Sequence, residues 1–182
     1  MTKTKCRFCN SNLNQKFIDL GNSPLANSFL KENDFEKEKV YQLCTYLCEN
    51  CFLVQLDEIQ NPEHIFSDYA YFSSFSTSWL QHAKDFVEMI TKRLSLNHQN
   101  FVIEIASNDG YLLQNFIQKN IPVLGIEPAK NVAAKAIENN IPTLVNFFNS
   151  KFANDLTKDG TRADLIIGNN VWIGANCVIL KD

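Results

Sequence analysis

The sequence predicts an α/β protein in which a small zinc-binding domain precedes a parallel sheet built from βαβ units. Three observations carry this expectation. Cys6-Arg7-Phe8-Cys9 and Cys48-Glu49-Asn50-Cys51 are two paired Cys-x-x-Cys knuckles. Phe101 to Gly110, FVIEIASNDG, is an apolar run that ends in Ser, Asn, Asp and Gly before Leu112, Leu113, Phe116 and Ile117 resume at helical spacing. That pattern is a strand, a tight turn and a helix. Val123-Leu124-Gly125-Ile126 supplies a second strand, which ends directly on Glu127.

The knuckles come first in the chain. Six cysteines, with no apolar signal region in Met1 to Lys5 and no stretch of bilayer length, indicate a cytoplasmic protein whose thiols need a use other than disulfides. Two Cys-x-x-Cys pairs supply the four thiolates of a closed tetrahedral zinc site, so Cys6, Cys9, Cys48 and Cys51 are the expected ligands of Zn2+. Cys44 is read as a small buried hydrophobe. Between the knuckles, the charged run Lys31 to Lys39 is a solvated loop or helix face, and Val40 to Leu56 suggests short strands flanking the second knuckle. With few apolar residues of its own, this domain draws folding free energy from the metal.

Phe66 to Ser76 then concentrates hydroxyls among aromatics, consistent with a packed irregular linker or the border of a site. Ser76 or Ser78 caps the helix that follows, in which Trp79, Ala83, Phe86, Val87, Ile90 and Leu94 make one apolar face. His82 is expected on the helix surface.

Beyond the first strand, ligands of such folds bind where the chain turns over into a helix with free N–H groups, which places a site near Glu104, Ala106, Ser107, Asn108, Asp109 and Gly110. Asp109 as a simple helix cap is the alternative. Glu127 stands where an acidic side chain accepts from ribose hydroxyls. A single Gly in the turn disfavours a dinucleotide and favours an adenosyl ligand without phosphates. A helix from Asn131, a strand Pro142 to Val145, a helix around Phe152 to Leu156 and a strand Ala163 to Ile167 complete the pattern. A formal charge of −3 without a basic patch argues against nucleic acid as a partner.

The segments EIASNDGYLL, GIEPAKNVAAKA, NFF and ADLIIGNNV resemble S-adenosylmethionine-dependent C-methyltransferases that act on nucleotide-linked deoxysugars. The resemblance runs from Cys6 to about Val171. It implies a zinc-binding domain (1–62), a linker and helix bordering the active site (63–98) and the first half of a Rossmann-like methyltransferase domain (99–171). That methyltransferase domain is incomplete, because the later strands and a sugar-binding portion have no counterpart here. The implied cofactor is S-adenosylmethionine or S-adenosylhomocysteine. The implied partner is a nucleotide-linked 4-keto sugar, methylated at C3 through an enolate.

Residue by residue, the resemblance places Tyr71 and Tyr69 over the active site as catalytic candidates, and puts Glu104, the 106–110 turn, Glu127 and Pro128 beside the cofactor. Phe147 is a candidate for stacking on adenine, with core packing the alternative, and Asn169 for contacting the methionine portion. The family carries a histidine where this sequence has Gly174, so inactivity of this chain alone is expected. A non-catalytic zinc and adenosyl-binding fragment is a rival expectation.

The last residues, 172–182, depart from the family. Ile167, Ile173 and Ile179 recur every six residues, a spacing that resembles the hexapeptide repeat of sugar acyltransferases and keeps that class open as another rival. The strand Ala163 to Ile167 is then expected at a sheet edge, where it invites self-association.

Overall fold

The computed structural model describes residues 5–26, 28–56 and 60–168. The chain divides into two compact units, one up to Ile65 and one from Phe66 onward.

The first unit is a three-stranded antiparallel sheet, β1 (Gln15–Pro24), β2 (Val40–Leu47) and β3 (Val54–Leu56), in the order β1-β2-β3. Strands β2 and β3 flank the second knuckle, as the apolar run from Val40 predicts. Strand β1 lies outside the expected strands of this unit, which fall within Val40 to Leu56. It pairs with β2 across two register shifts, the second at Gly21 with φ 77°, so the irregular sequence is a bulged strand and not a loop. The charged run becomes a 3-10 turn, Glu32–Lys37, with no buried residue. A short helix, α1 (Pro62–Phe66), follows. The unit's core is Cys6, Leu13 and Cys48, with Cys9, Tyr46, Cys51 and Leu53 packed against them.

The second unit opens with a 3-10 turn (Ser73–Phe75) and α2 (Thr77–Leu94), capped by Ser76, whose side chain accepts from the Trp79 N–H. Ala83, Val87 and Ile90 are its buried face. A mixed βα succession follows: β4 (Val102–Ile105), α3 (Leu113–Ile117), β5 (Val123–Ile126), α4 (Lys130–Glu138), β6 (Thr143–Leu144), α5 (Ser150–Lys158) and β7 (Leu165–Gly168). All strand pairings are parallel, in the order β6-β5-β4-β7. Among the described residues β7 borders the sheet. The core joins α2 to the sheet through Val87, Ile90, Val102, Leu113, Phe116, Val123 and Leu165.

The first two crossovers end alike. Asn120-Ile121-Pro122 and Asn140-Ile141-Pro142 each put an Asn in the left-handed region (φ 58° and 61°) after the helix. Each then buries the Ile, whose N–H reaches back to Phe116 or Ala136, and enters the strand at Pro. Asn tolerates the left-handed conformation that stops a helix, and Pro forbids its continuation. This repeated device fixes where β5 and β6 begin, and therefore what lies at their C-terminal ends.

Candidate functional sites

In the first unit the sulfur atoms of Cys6, Cys9, Cys48 and Cys51 all lie within 4.8 Å of one another. Cys6 and Cys51 are 3.6 Å apart, and Cys9 and Cys48 are 3.5 Å apart. A tetrahedral zinc with Zn–S near 2.3 Å needs sulfur separations of roughly 3.8 Å, so the donor set fits that ion. Cys44 is buried and takes no part in the cluster.

The two knuckles have one backbone geometry. Cys6 N donates to Ser11 O and Asn10 N to Cys6 O, while Cys48 N donates to Leu53 O and Phe52 N to Cys48 O. The residue after each second cysteine is left-handed, Asn10 at φ 60° and Phe52 at φ 61°. Around the sulfurs, Gln55 Nε2 donates to Cys6 Sγ at 3.2 Å, and its Oε1 accepts from Arg7 N at 3.0 Å. Sequence alone gave no sign of Gln55, because its role depends on β3 lying beside the first knuckle.

Charge is distributed unevenly over the quartet. Hydrogen bonds from Ser11 and Asn50 lower the Cys9 thiol to about 5. The Leu53 N–H favours the Cys51 thiolate, but burial and the neighbouring Cys48, Cys9 and Cys6 together outweigh it and push the thiol up to about 12. Thiolates this close repel one another, and a divalent cation among them removes that penalty.

In the second unit the site forms where β4 and β5 end. Glu104 is fully buried in β4. The turn after it is contorted, with Ala106 (φ 58°), Asn108 (φ 50°) and Gly110 (φ 79°) all left-handed. Ala106 holds this conformation at a cost of about 1–2 kcal/mol. Gly110 allows the close approach of Ile141, because a Cβ there would stand 2.3 Å from Ile141 Cδ1.

The N–H groups of the turn that precedes α3 are all engaged. Ala106 N and Ser107 N donate to Ile126 O, Asn108 N to Glu127 Oε2, Asp109 N to Asn108 Oδ1 and Gly110 N to Ser107 O. Three of the five tie the turn to the end of β5, and two close the turn on itself. Asp109 does not cap α3: its Oδ2 accepts from the N–H and hydroxyl of Ser74.

Glu127, 6% exposed, braces both sides of the β5 end, accepting from Asn108 N at 2.9 Å and Ala129 N at 2.8 Å. Burial pushes its carboxyl above the ordinary glutamate range, against the favourable N–H groups of Ala129 and Asn108. Each of its oxygens keeps a lone pair for a further donor.

A strap of residues 67–74 is laid against these turns by side chains that imitate backbone. Asn131 accepts from Tyr69 N at 3.0 Å and donates to Tyr69 O at 2.7 Å. Asn108 accepts from Ser73 N at 2.9 Å and donates to Tyr71 O at 3.1 Å. Lys130 N donates to Ser67 O. Sequence reading finds Asn131 only as a helix start, since its amide works on residues 62 positions away.

Strap and turn together border an open cleft of about 210 Å3, lined by Tyr69, Tyr71, Ser73, Trp79, Ala106, Asn108 and Tyr111. Both candidate tyrosines therefore share one cavity with the turn. Trp79 and Tyr111 are additional members. Trp79, which helical spacing assigns to the apolar face of α2, is 42% exposed and stacks on His82, itself on the helix surface. Phe147 and Pro128 are half-buried, and neither lines this cavity. Asn169, Gly174, Cys177 and the six-residue recurrence lie outside the described residues.

Whether an adenosyl group fits these residues is testable on their polar atoms. Ser107 Oγ and Asp109 Oδ1 are buried without a hydrogen-bond partner among the described residues. With Glu127 they are acceptors of the kind that the hydroxyl and ammonium donors of such a ligand need, and all three lie behind the residues that line the cavity. Ser107 packs against Gly125, where an added Cβ would meet Ser107 Oγ at 2.5 Å.

Among the described residues no helix is long and apolar enough to cross a membrane. Residues 6–66 match a family model whose description is "Putative zinc binding domain". Over 169 residues, 92% of this chain, the sequence is 28% identical to the C-methyltransferase NovU of Streptomyces niveus and spans 40% of that protein's length. The crystal structure of MccD protein aligns with a TM-score of 0.27 at 14% identity, covering 48% of this chain and 31% of that one. Nothing in these likenesses supports a hexapeptide-repeat relationship. The chain thus joins an N-terminal zinc-binding region to an α/β sheet region, and it is a distant homologue of a C-methyltransferase.

Proposed function

We propose that this chain binds zinc through its four knuckle cysteines and S-adenosylmethionine or S-adenosylhomocysteine at the β4 and β5 ends, as part of a C-methyltransferase acting on a nucleotide-linked 4-keto sugar. The observation that carries the proposal is the shared cavity: Tyr69, Tyr71, Ala106 and Asn108 converge on it, and Glu127 is hydrogen-bonded to Asn108. When bound, the cofactor supplies an electrophilic methyl group.

The chain's own residues then have distinct tasks. Glu127 accepts from ribose hydroxyls, with Pro128 beside it and Phe147 toward adenine. Glu104 faces the amino-acid end, with Ser107 and Asp109 beside it, and Asn169 is assigned to the methionine portion by resemblance alone. Tyr71, or Tyr69 beside it, donates to the oxygen of the enolate formed when the sugar loses its C3 proton, without adding a competing full charge. Gly174 brings no base, so turnover on a 4-keto sugar nucleotide by this chain alone is not expected.

Calorimetric titration with S-adenosylhomocysteine tests the site. Binding by wild type and a loss of tenfold or more in Glu127→Ala are expected. Because the carboxyl is raised by burial, affinity climbs with pH through the window above the ordinary glutamate range, and Glu127→Gln flattens that profile. Unchanged affinity in Glu127→Ala would remove the carboxylate from the site.

A further inference from the structure

The two knuckles share a backbone geometry but not a support. The second sits at the tip of the β2–β3 hairpin, where Thr45, Tyr46 and Leu47 pair with Leu56, Gln55 and Val54. The first, among the described residues, is closed by an isolated bridge between Lys5 and Asn12. What it lacks in ladder it takes from β3 through side chains. Arg7 reaches Leu56 O with Nη2 at 2.6 Å. Gln55 spends both ends of its amide on the knuckle, accepting from Arg7 N at 3.0 Å and donating to Cys6 Sγ at 3.2 Å.

Gln55 is 7% exposed and Cys6 2%, so this N–H···S contact is shielded from water on both sides. An amide is costly to bury unless its ends are satisfied, and an apolar side chain of similar size would bear no such cost. The sulfur that the N–H meets therefore accounts for the amide. Four thiolates around one divalent cation carry excess negative charge, and a donor aimed at a buried sulfur offsets it where water cannot. Building on the zinc reading above, we propose that Gln55 is a positioning residue of the metal centre, which fixes Cys6 for the ion and draws charge off its sulfur. Gln55 pairs with Tyr46 inside the hairpin that carries Cys48 and Cys51, so one side chain sets the first knuckle against the second. Zinc affinity then depends on a residue that is not a ligand.

The full chain is loaded with zinc and challenged with a competing chelator, and separately loaded with Co2+, whose sulfur-to-metal charge-transfer band reports on the thiolates. Gln55→Glu keeps the shape and the acceptor for Arg7 N while replacing the N–H with an oxygen. It should weaken zinc retention by about 10- to 100-fold, the usual reach of a partner that orients a ligand. The cobalt band should move to longer wavelength, because a sulfur without its donor gives up an electron more easily. Gln55→Leu, which removes both hydrogen bonds, should shift the band in the same direction. Arg7→Ala frees Leu56 O but leaves the backbone N–H that Gln55 accepts, so it should weaken retention less and leave the band in place. An unmoved band in Gln55→Glu would overturn the proposal whatever the retention, since a purely structural loss leaves the charge on the sulfur alone. An equal shift in Arg7→Ala would overturn it too. A wild-type chain that takes up neither metal would overturn the zinc reading itself.

Discussion

The two units of this chain are held together by different physics. In the first, the residues that pack most tightly are cysteines, while Phe8, Phe17, Leu20, Phe29 and Phe35 remain exposed. In the second, Val87, Leu113 and Phe116 are fully buried against a parallel sheet. Apolar burial is worth about 25 cal/mol per Å2, and a core of one leucine among thiols collects little of it. The first unit therefore depends on a bond that the sequence announces by spacing. The second depends on a pattern that it announces by periodicity.

Metal removal is the sharpest way to break that comparison. Cys48→Ser with Cys51→Ser, or a strong chelator, should release one zinc per chain and unfold the first unit, because structural zinc contributes on the order of 10 kcal/mol to folding. The circular dichroism of the α/β unit should persist. Retention of stoichiometric zinc by the double variant would sink the assignment. The mirror-image experiment is Phe116→Ala, which should cost about 3–5 kcal/mol in chemical denaturation of the second unit. Zinc content, read by metal analysis, should stay at one per chain.

What sequence could and could not foresee follows the same division. Both Cys-x-x-Cys pairs were legible because ligand spacing is local. The strands Val102–Ile105 and Val123–Ile126 were legible because buried parallel strands are continuous apolar runs. β1 was not, since its bulges depend on pairing with β2. Nor was the use of the turn N–H groups, which the structure spends on Ile126, Glu127, Asn108 and Ser107. Asn131 is the clearest case. Nothing local distinguishes an amide that begins a helix from one that also clamps Tyr69.

That clamp supplies a third, smaller test within the second unit, whose core is apolar but whose strap is held by polar contacts. Asn131→Ala removes two hydrogen bonds to Tyr69 and should cost about 1–3 kcal/mol. Most of the effect should be local. Limited proteolysis should cut between Phe66 and Ser76 faster than in wild type, whereas Phe116→Ala should raise sensitivity throughout the unit. If the Asn131 variant shows wild-type cleavage there, the amide does not hold the strap.

The smallest expected effect compares the first unit with itself. Its two knuckles share the same hydrogen bonds and the same left-handed residue, yet one places Asn10 there and the other Phe52. Asn tolerates that conformation through its short polar side chain, whereas a bulky residue bears the full clash of Cβ with the following carbonyl. Phe52 is 75% exposed, so its ring repays little of this by burial. Phe52→Asn should therefore stabilise the metal-bound unit by about 0.5–1 kcal/mol. Since one tenfold change in an equilibrium is 1.4 kcal/mol, zinc retention against a competing chelator should improve by about two- to fivefold. Asn10→Phe should lose a similar amount, and the double exchange should come out near neutral if backbone conformation alone sets the cost. A Phe52→Asn variant that holds zinc less tightly than wild type would mean that the ring is itself worth more than the strain it imposes.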